Sequence, residues 1–393
     1  MSGKQTLATL LAVLFVVLCS CNDDDSPTNG GSHPIGQLPS QIGMLWKYQV
    51  YDSLAETTDT VWISVTDLDH RSITGSAVFI WGSYWTTRDS VVWRNVIFRG
   101  DTVDIYTDTA QTEPDRYERL VFPLELGREW VLPFGVDTSR VAEVGTIQVP
   151  AGTFTGAARV ERVWNRDFEG GHDQSTSWIA HNVGVVSRHY LTLSNPGDGN
   201  FIVTTNQTWQ LYDYDLSTFS LSQFPNSVGS EWVYQLVDTL IDLVDTVTVR
   251  VIGKVQSPSY DSVMIWAYEG REYKDTIFVA TDGQVVSEFF DTLVVMPFVA
   301  WPYEFPMTVG RHWGITTIAP IPQVDDKAPV STPARNFRSA FHYSSSGLWL
   351  NDFWMVDDWL APGVGVVKRR FSRWVLGPNS AQEWTLLRYQ PPQ

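Results

Sequence analysis

Along most of the chain, apolar and polar residues alternate with a period of two. In Thr60-Val61-Trp62-Ile63-Ser64-Val65 and in Thr246-Val247-Thr248-Val249-Arg250-Val251 the alternation turns one face to a core and the other mostly to solvent, which is the pattern of a strand. β-Branched and aromatic residues are abundant, and Asn195-Pro196-Gly197-Asp198-Gly199-Asn200 is a turn cluster. No stretch after the first twenty residues sustains a long helical apolar period. Closely spaced strands joined by turns pair antiparallel, because parallel pairing needs longer crossovers. The predicted fold class is all-β.

The beginning of the chain follows a different pattern. Lys4 precedes an apolar run from Leu7 to Leu18, interrupted only by Thr9 and followed by Ser20, Asn22 and Asp23 to Asp25. This is the layout of a signal peptide, and it is shorter than the roughly 20 apolar residues that a spanning helix needs. The tetrad Leu18-Cys19-Ser20-Cys21 resembles the lipobox of bacterial lipoproteins, with Cys at the second position as its departure from the common form. The resemblance implies a signal peptide over 1–20 and acylation of Cys21. Two or three acyl chains there would hold the protein to a membrane durably, as a single chain would not. Residues 21–36 are almost free of apolar side chains and read as a flexible tether.

The remainder divides into two by an internal repeat. Leu38, Pro39, Ile42, Gly43, Trp46, Tyr48 and Asp52 return as Phe224, Pro225, Val228, Gly229, Trp232, Tyr234 and Asp238, all 186 residues later, and Asp59-Thr60-Val61 returns as Asp245-Thr246-Val247. Pro150-Ala151 with Phe154 matches Pro333-Ala334 with Phe337. Trp178 to Tyr190 matches Trp359 to Phe371, and Trp209, Leu211 and Tyr214 match Trp384, Leu386 and Tyr389. The expected organisation is two homologous antiparallel β domains in tandem, 37–215 and 223–390, each a barrel, half-barrel or sandwich. A shorter echo, an apolar residue and Pro, then Gly four after the Pro and Trp three after the Gly, recurs at Leu38, Phe122, Phe224 and Phe305. It reads either as a fourfold origin or as a favoured way of entering a strand.

The motifs Gly43 to Tyr48, Pro150 to Phe154 and Trp359 to Lys368 resemble those of a loose group of exported bacterial β-proteins of mostly unassigned function. These carry Gly-x-x-Trp-x-Tyr, Pro-Ala-Gly-x-Phe and Trp-x-Ala-Pro-Gly-Val-Gly-x-Val-Lys. Here the first half has His181-Asn182 where the second has Pro362-Gly363, and the second half has Arg335 where the first has Gly152. The resemblance implies a β fold and no catalytic residue.

Charge and cysteine count narrow the function classes. Cleavage before Cys21 removes one cation, Lys4, and no acid, so the net charge of −17 becomes −18, which repels nucleic acid and anionic headgroups. Cys19 leaves with the signal peptide and Cys21 is expected to be acylated, so disulfides, thiol catalysis and cysteine metal sites are excluded from the mature chain. His172, His181 and His189 lack metal-ligand spacing, Asp67-Asp69 and Asp357-Asp358 offer weak carboxylate pairs, and no nucleophile elbow, phosphate loop or calcium loop occurs. No catalytic residue, metal or cofactor is expected. Eight of the eighteen tryptophans fall in matched pairs and read as core. Trp62, Trp85, Trp93, Trp349 and Trp354 have no match and are the candidate ligand-binding residues, as exposed platforms or as contacts between the halves.

The leading expectation is a non-enzymatic outer-membrane lipoprotein, periplasmic or surface-exposed, held through lipid on Cys21, with a binding or structural role. The alternatives are a carbohydrate-binding lipoprotein using exposed Trp, a carrier of an apolar ligand and, last, a glycoside hydrolase. Glycan or an envelope protein is the expected partner class.

Overall fold

The computed structural model describes residues 38–69, 78–87, 90–106, 116–131, 137–166, 171–194, 201–257, 260–289, 301–311, 322–349, 352–375 and 378–392. Cys21, the signal peptide and the tether lie outside the described residues. The first half comprises β1 (Leu45–Asp52), β2 (Thr57–Asp69), β3 (Val78–Trp85), β4 (Ser90–Arg99), β5 (Thr102–Tyr106), β6 (Arg116–Val121), β7 (Glu129–Val131), β8 (Asp137–Val149), β9 (Gly152–Arg166), β10 (Gly171–Ala180), β11 (Gly184–Ser194) and β12 (Ile202–Asp215). After a single 3-10 turn, Leu221–Gln223, come β13 (Glu231–Asp238), β14 (Leu243–Val255), β15 (Ser262–Glu269), β16 (Lys274–Asp282), β17 (Val285–Phe289), β18 (Trp301–Glu304), β19 (Gln323–Ser331), β20 (Asn336–Trp349), β21 (Asp352–Ala361), β22 (Gly365–Val375) and β23 (Pro378–Gln390).

The protein is all-β: two antiparallel sheets in tandem, of 12 and 11 strands, one a nearly closed barrel and the other a half-barrel. In each half the chain meanders, and its last strand returns to pair with its first, β12 with β1 and β23 with β13. The free edges are therefore mid-sequence strands, β6 and β7 in the first sheet and β18 and β19 in the second. In the first sheet a side chain ties these edges, because the Trp130 indole on β7 donates to the Arg119 carbonyl on β6 at 2.9 Å. A bare edge is a pairing hazard, and this bond holds the two edges against each other.

Physical reasons for the repeated residues are visible in both halves. Trp46 and Trp232 are buried and donate to the carbonyls of Val183 and Val364, each at 2.7 Å. The Tyr48 and Tyr234 hydroxyls donate to Val185 and Val366, again at 2.7 Å. Asp59 accepts from the Thr60 amide and the Thr86 and Thr87 hydroxyls, while Asp245 accepts from the amides of Thr246, Arg271, Glu272 and Tyr273. Each aspartate thereby organises the turn opposite its strand. The fourfold echo is one way of entering a strand: Gly43, Gly127, Gly229 and Gly310 each donate to a strand carbonyl, of Val65, Val141, Val251 and Val324. All four glycines have φ between 80° and 93°, a region open to Gly at no steric cost.

The halves meet along the outer face of β1 and β2. Phe219, in the connecting segment, is fully buried against Phe305 and Phe341 of the second half. Lys47 pairs with Asp326 at 3.2 Å. The fully buried Lys327 ammonium donates to the carbonyls of Gly43, Asp215 and Ser217 and pairs with the Asp215 carboxylate at 3.1 Å. Burial pushes Lys327 down to about 8, against the attraction of Asp215 and with the repulsion of Lys47. An unfolded Lys titrates near its ordinary value of about 10.4, so between the two the unfolded chain binds more protons and stability must rise with pH. Urea unfolding of the chain should show stability increasing from about pH 8 to about pH 9.5 relative to Lys327→Met. Parallel pH profiles for the two proteins would contradict this burial of charge.

Candidate functional site

The second half has one continuous core, in which Trp232, Trp266, Tyr303, Tyr343, Trp354 and Trp384 share a cluster. The first half has two, one around Val96, Leu120, Phe122 and Val141 and another around Trp46, Tyr48, Val61 and Leu211. Between these two clusters lies a chamber of about 220 Å³. Its walls are largely aromatic, with Trp46, Trp81, Trp85 and Trp209, and its polar lining includes Arg94, Glu118, Arg188 and Gln207.

Alternation in the strands sets this lining. On β3, Trp81, Ser83 and Trp85 face inward and lie opposite Val65, Ile63 and Val61 of β2. Trp81 stacks on Trp46, with ring centroids 5.3 Å apart, and Trp85 meets Trp209 edge-on at 5.3 Å. Trp266 repeats the first contact in the second half, stacked on Trp232 at 4.7 Å. On β11, Arg188 reaches both oxygens of Glu118 on β6, at 2.9 and 2.8 Å, and its Nε donates to Ser177 at 2.9 Å. Arg94 donates to Ser83 at 2.9 Å. Burial pushes the Tyr48 phenol well above its usual range, opposed by the charges of Arg188 and Arg94.

The equivalent region of the second half is closed by side chains. Arg369 bonds Asp358 at 2.7 and 2.9 Å, Glu288 at 3.1 and 3.2 Å and the Tyr303 hydroxyl at 2.7 Å. Tyr303 in turn donates to Asp358 at 2.6 Å and packs on Tyr343. Desolvation raises the Glu288 carboxyl above its ordinary range, with Arg369 opposing.

Of the five candidate tryptophans, Trp85 lines the chamber. Trp62 is half-buried on the opposite face of its sheet, beneath the Lys47 ammonium at 5.0 Å and packed on the cluster that joins the halves. Trp93 is 41% exposed and lies over Gly82, its cross-strand partner. Trp354 corrects the expectation of an exposed platform: it is buried in the second core, with its ring lying over Gly347, where a Cβ would collide at 2.6 Å. The Trp349 side chain lies outside the described residues. The candidates are thus not gathered on one surface, and Trp81, opposite Val65, is the counterpart of Trp266, opposite Val251. The pair Asp357-Asp358 is also corrected, because neighbours on a strand face opposite ways: Asp358 is buried on Arg369 whereas Asp357 bonds His342 on the other face. Among the described residues no group of three or more His, Cys, Asp or Glu gathers into a metal site.

No family model and no curated protein matches the chain. Among solved structures it is similar to an inferred exported protein with a YmcC-like fold from Bacteroides fragilis, at 14% identity over 44% of this chain and 100% of that one, with a TM-score of 0.29. It is also similar to an inferred lipoprotein from Parabacteroides distasonis, at 14% identity over 44% of this chain and 99% of that one, with a TM-score of 0.26. A Nostoc punctiforme protein of unknown function from the DUF3598 family aligns over 91% of this chain and 100% of its own, at 11% identity and a TM-score of 0.26.

Proposed function

We propose that the chain is a non-enzymatic lipoprotein of the bacterial cell envelope, anchored through acylated Cys21, whose first β half binds a small and largely apolar molecule. The observation that carries the binding role is the aromatic chamber of about 220 Å³ in one half, set against the Tyr303 and Tyr343 rings that occupy the matching region of the other. An apolar cavity of about 150 Å³ admits benzene, so this one has room for a molecule of one or two rings. Exposed-tryptophan carbohydrate binding loses its support, since Trp85, Trp62, Trp93 and Trp354 are spread over the inner face, the outer face and the second core.

Two measurements test the reading. Fractionation of cells expressing Cys21→Ala should move the protein from the membrane to the soluble fraction; retention in the membrane would remove the anchor. Calorimetric titration of the Cys21→Ala chain with indole should give one site per chain and raise the unfolding midpoint, by about 2.7 kcal/mol of added stability at a hundredfold excess over Kd. Undiminished binding in Leu120→Tyr, which puts the ring of the second half into the chamber, would place the site elsewhere.

A further inference from the structure

We infer that the molecule taken up by the first-half chamber is a phenol, a body of one or two aromatic rings whose hydroxyl does for the first half what the Tyr303 hydroxyl does for the second. This rests on the proposal that the chamber is a binding site, and it comes from comparing the halves position by position. Strand register fixes the equivalences. Leu120 and Tyr303 correspond, each two residues before a Phe-Pro and opposite Val103 or Val286. Arg188, opposite Ser177, corresponds to Arg369, opposite Asp358. Ser83 and Tyr268 correspond, opposite Ile63 and Val249, as do Val160 and Tyr343, opposite Ser177 and Asp358. Leu38 and Phe224 correspond by the repeat itself.

In the second half the Tyr303 ring is enclosed by aromatic neighbours and its hydroxyl by charge. The Phe224 ring lies 6.1 Å from it and the Tyr343 ring 4.9 Å, centroid to centroid. The hydroxyl donates to Asp358 at 2.6 Å, accepts from Arg369 at 2.7 Å and lies 3.3 Å from a Glu288 oxygen. Counterparts of these neighbours form the wall of the chamber. Leu38 stands for Phe224, Arg188 for Arg369 and Ile105 for Glu288, and all three line it together with Leu120. The chamber is thus the place that the Tyr303 side chain takes in the other half. Room is made by Leu38 and Leu120 in its wall, and by Ser83 and Val160 beyond it, each smaller than the ring it replaces.

The polar end of that place is common to both halves. Glu118, opposite Ile105, bonds Arg188 through both oxygens at 2.9 and 2.8 Å, as Glu288 bonds Arg369 at 3.2 and 3.1 Å. Ser177 stands for Asp358 and accepts from Arg188 at 2.9 Å. The second half shows that an arginine bonded to a carboxylate also holds a phenolic hydroxyl, because a hydroxyl donates to the acid while it accepts from the guanidinium. A hydroxyl donating to an ionised carboxylate makes one of the stronger hydrogen bonds. A carboxylate ligand offers acceptors alone and would bring like charge against Glu118. A bare arene would set an ion pair against an apolar surface with nothing to bond. For the ring itself, Trp46, Trp81 and Trp209 supply flat aromatic wall.

The test uses the Cys21→Ala chain near neutral pH, where a phenol keeps its proton. Two pairs of probes exchange hydroxyl for methyl at nearly constant shape, 4-methylphenol with 1,4-dimethylbenzene and 2-naphthol with 2-methylnaphthalene, followed by calorimetry and tryptophan fluorescence. The methyl compounds are the more apolar, so a purely apolar chamber ranks them first. Each phenol should instead bind at least about tenfold more tightly than its partner. Glu118→Gln, neutral but still an acceptor, should narrow the ratio, and Glu118→Leu should bring it towards one. Persistent binding of the methyl compounds reports that these variants are folded. A crystal of the Cys21→Ala chain with 4-bromophenol gives a readout independent of any further variant, with the hydroxyl expected within hydrogen-bond distance of Glu118 and the bromine turned away from it. Methyl compounds binding as tightly as phenols, or bromine against Glu118, would overturn the phenol assignment and leave the binding role intact. Failure of all four matched probes to bind would instead overturn the binding role itself.

Discussion

Replacing Arg369 with Met should destabilise the chain by about 3–5 kcal/mol, the cost of leaving buried charge without its partner. Asp358 is fully buried and Glu288 is 2% exposed, and both rely on this one guanidinium. Met is close to Arg in length and apolar, so the loss reports charge and hydrogen bonding more than packing. The matching change in the first half, Arg188→Met, should cost less. It strands a single acid, Glu118, beside a chamber that water can enter, and Arg94 remains in the same lining. Urea unfolding of both variants measures the difference. A neutral Arg369→Met, or an Arg188→Met that is the more damaging of the two, would mean that the buried ionic cluster does not hold the second half together.

Truncating the repeated tryptophan gives the other large effect. Trp232→Ala should cost about 3–5 kcal/mol, through lost burial and the cavity left behind. It also strands the Val364 carbonyl, which loses the indole bond. Trp46→Ala removes the same bond from Val183 but acts on a ring with one side already against the chamber. Fewer contacts are lost there, so its cost should fall at or below the lower end of that range. Equal costs would imply that the first half is as tightly filled as the second.

The frame of this fold was legible in the sequence wherever a side chain has a fixed backbone partner. Trp46 and Trp232, Tyr48 and Tyr234, and Asp59 and Asp245 recur at one spacing because each bonds backbone groups at the same place in its sheet. Gly43 and Gly229 recur because both adopt a φ of 93°. The chamber was not legible, for two physical reasons. Part of its lining, Trp81, Trp85, Arg94, Ile105, Glu118 and Leu120, comes from β3 to β6, where the spacing between halves drifts, so that Trp81 and Trp266 stand 185 residues apart and escape a search at 186. The acids that bond Arg188 and Arg369 also sit on different strands, Glu118 on β6 and Glu288 on β17, and become comparable only through pairing register. The unmatched tryptophans misled for a related reason. A ring such as Trp354 that covers a cross-strand glycine is structural, but nothing in the local sequence distinguishes it from an exposed platform.

One half keeps a chamber lined by tryptophan where its counterpart is filled by tyrosine. Xenon occupies apolar cavities, so crystals of the Cys21→Ala chain pressurised with xenon report directly which half has room. Xenon should be found among Trp46, Trp81, Trp85 and Trp209 and not beside Tyr303, and the first-half site should vanish in Leu120→Tyr. Xenon absent from the first half, or present equally beside Tyr303, would mean that the two halves do not differ in this way.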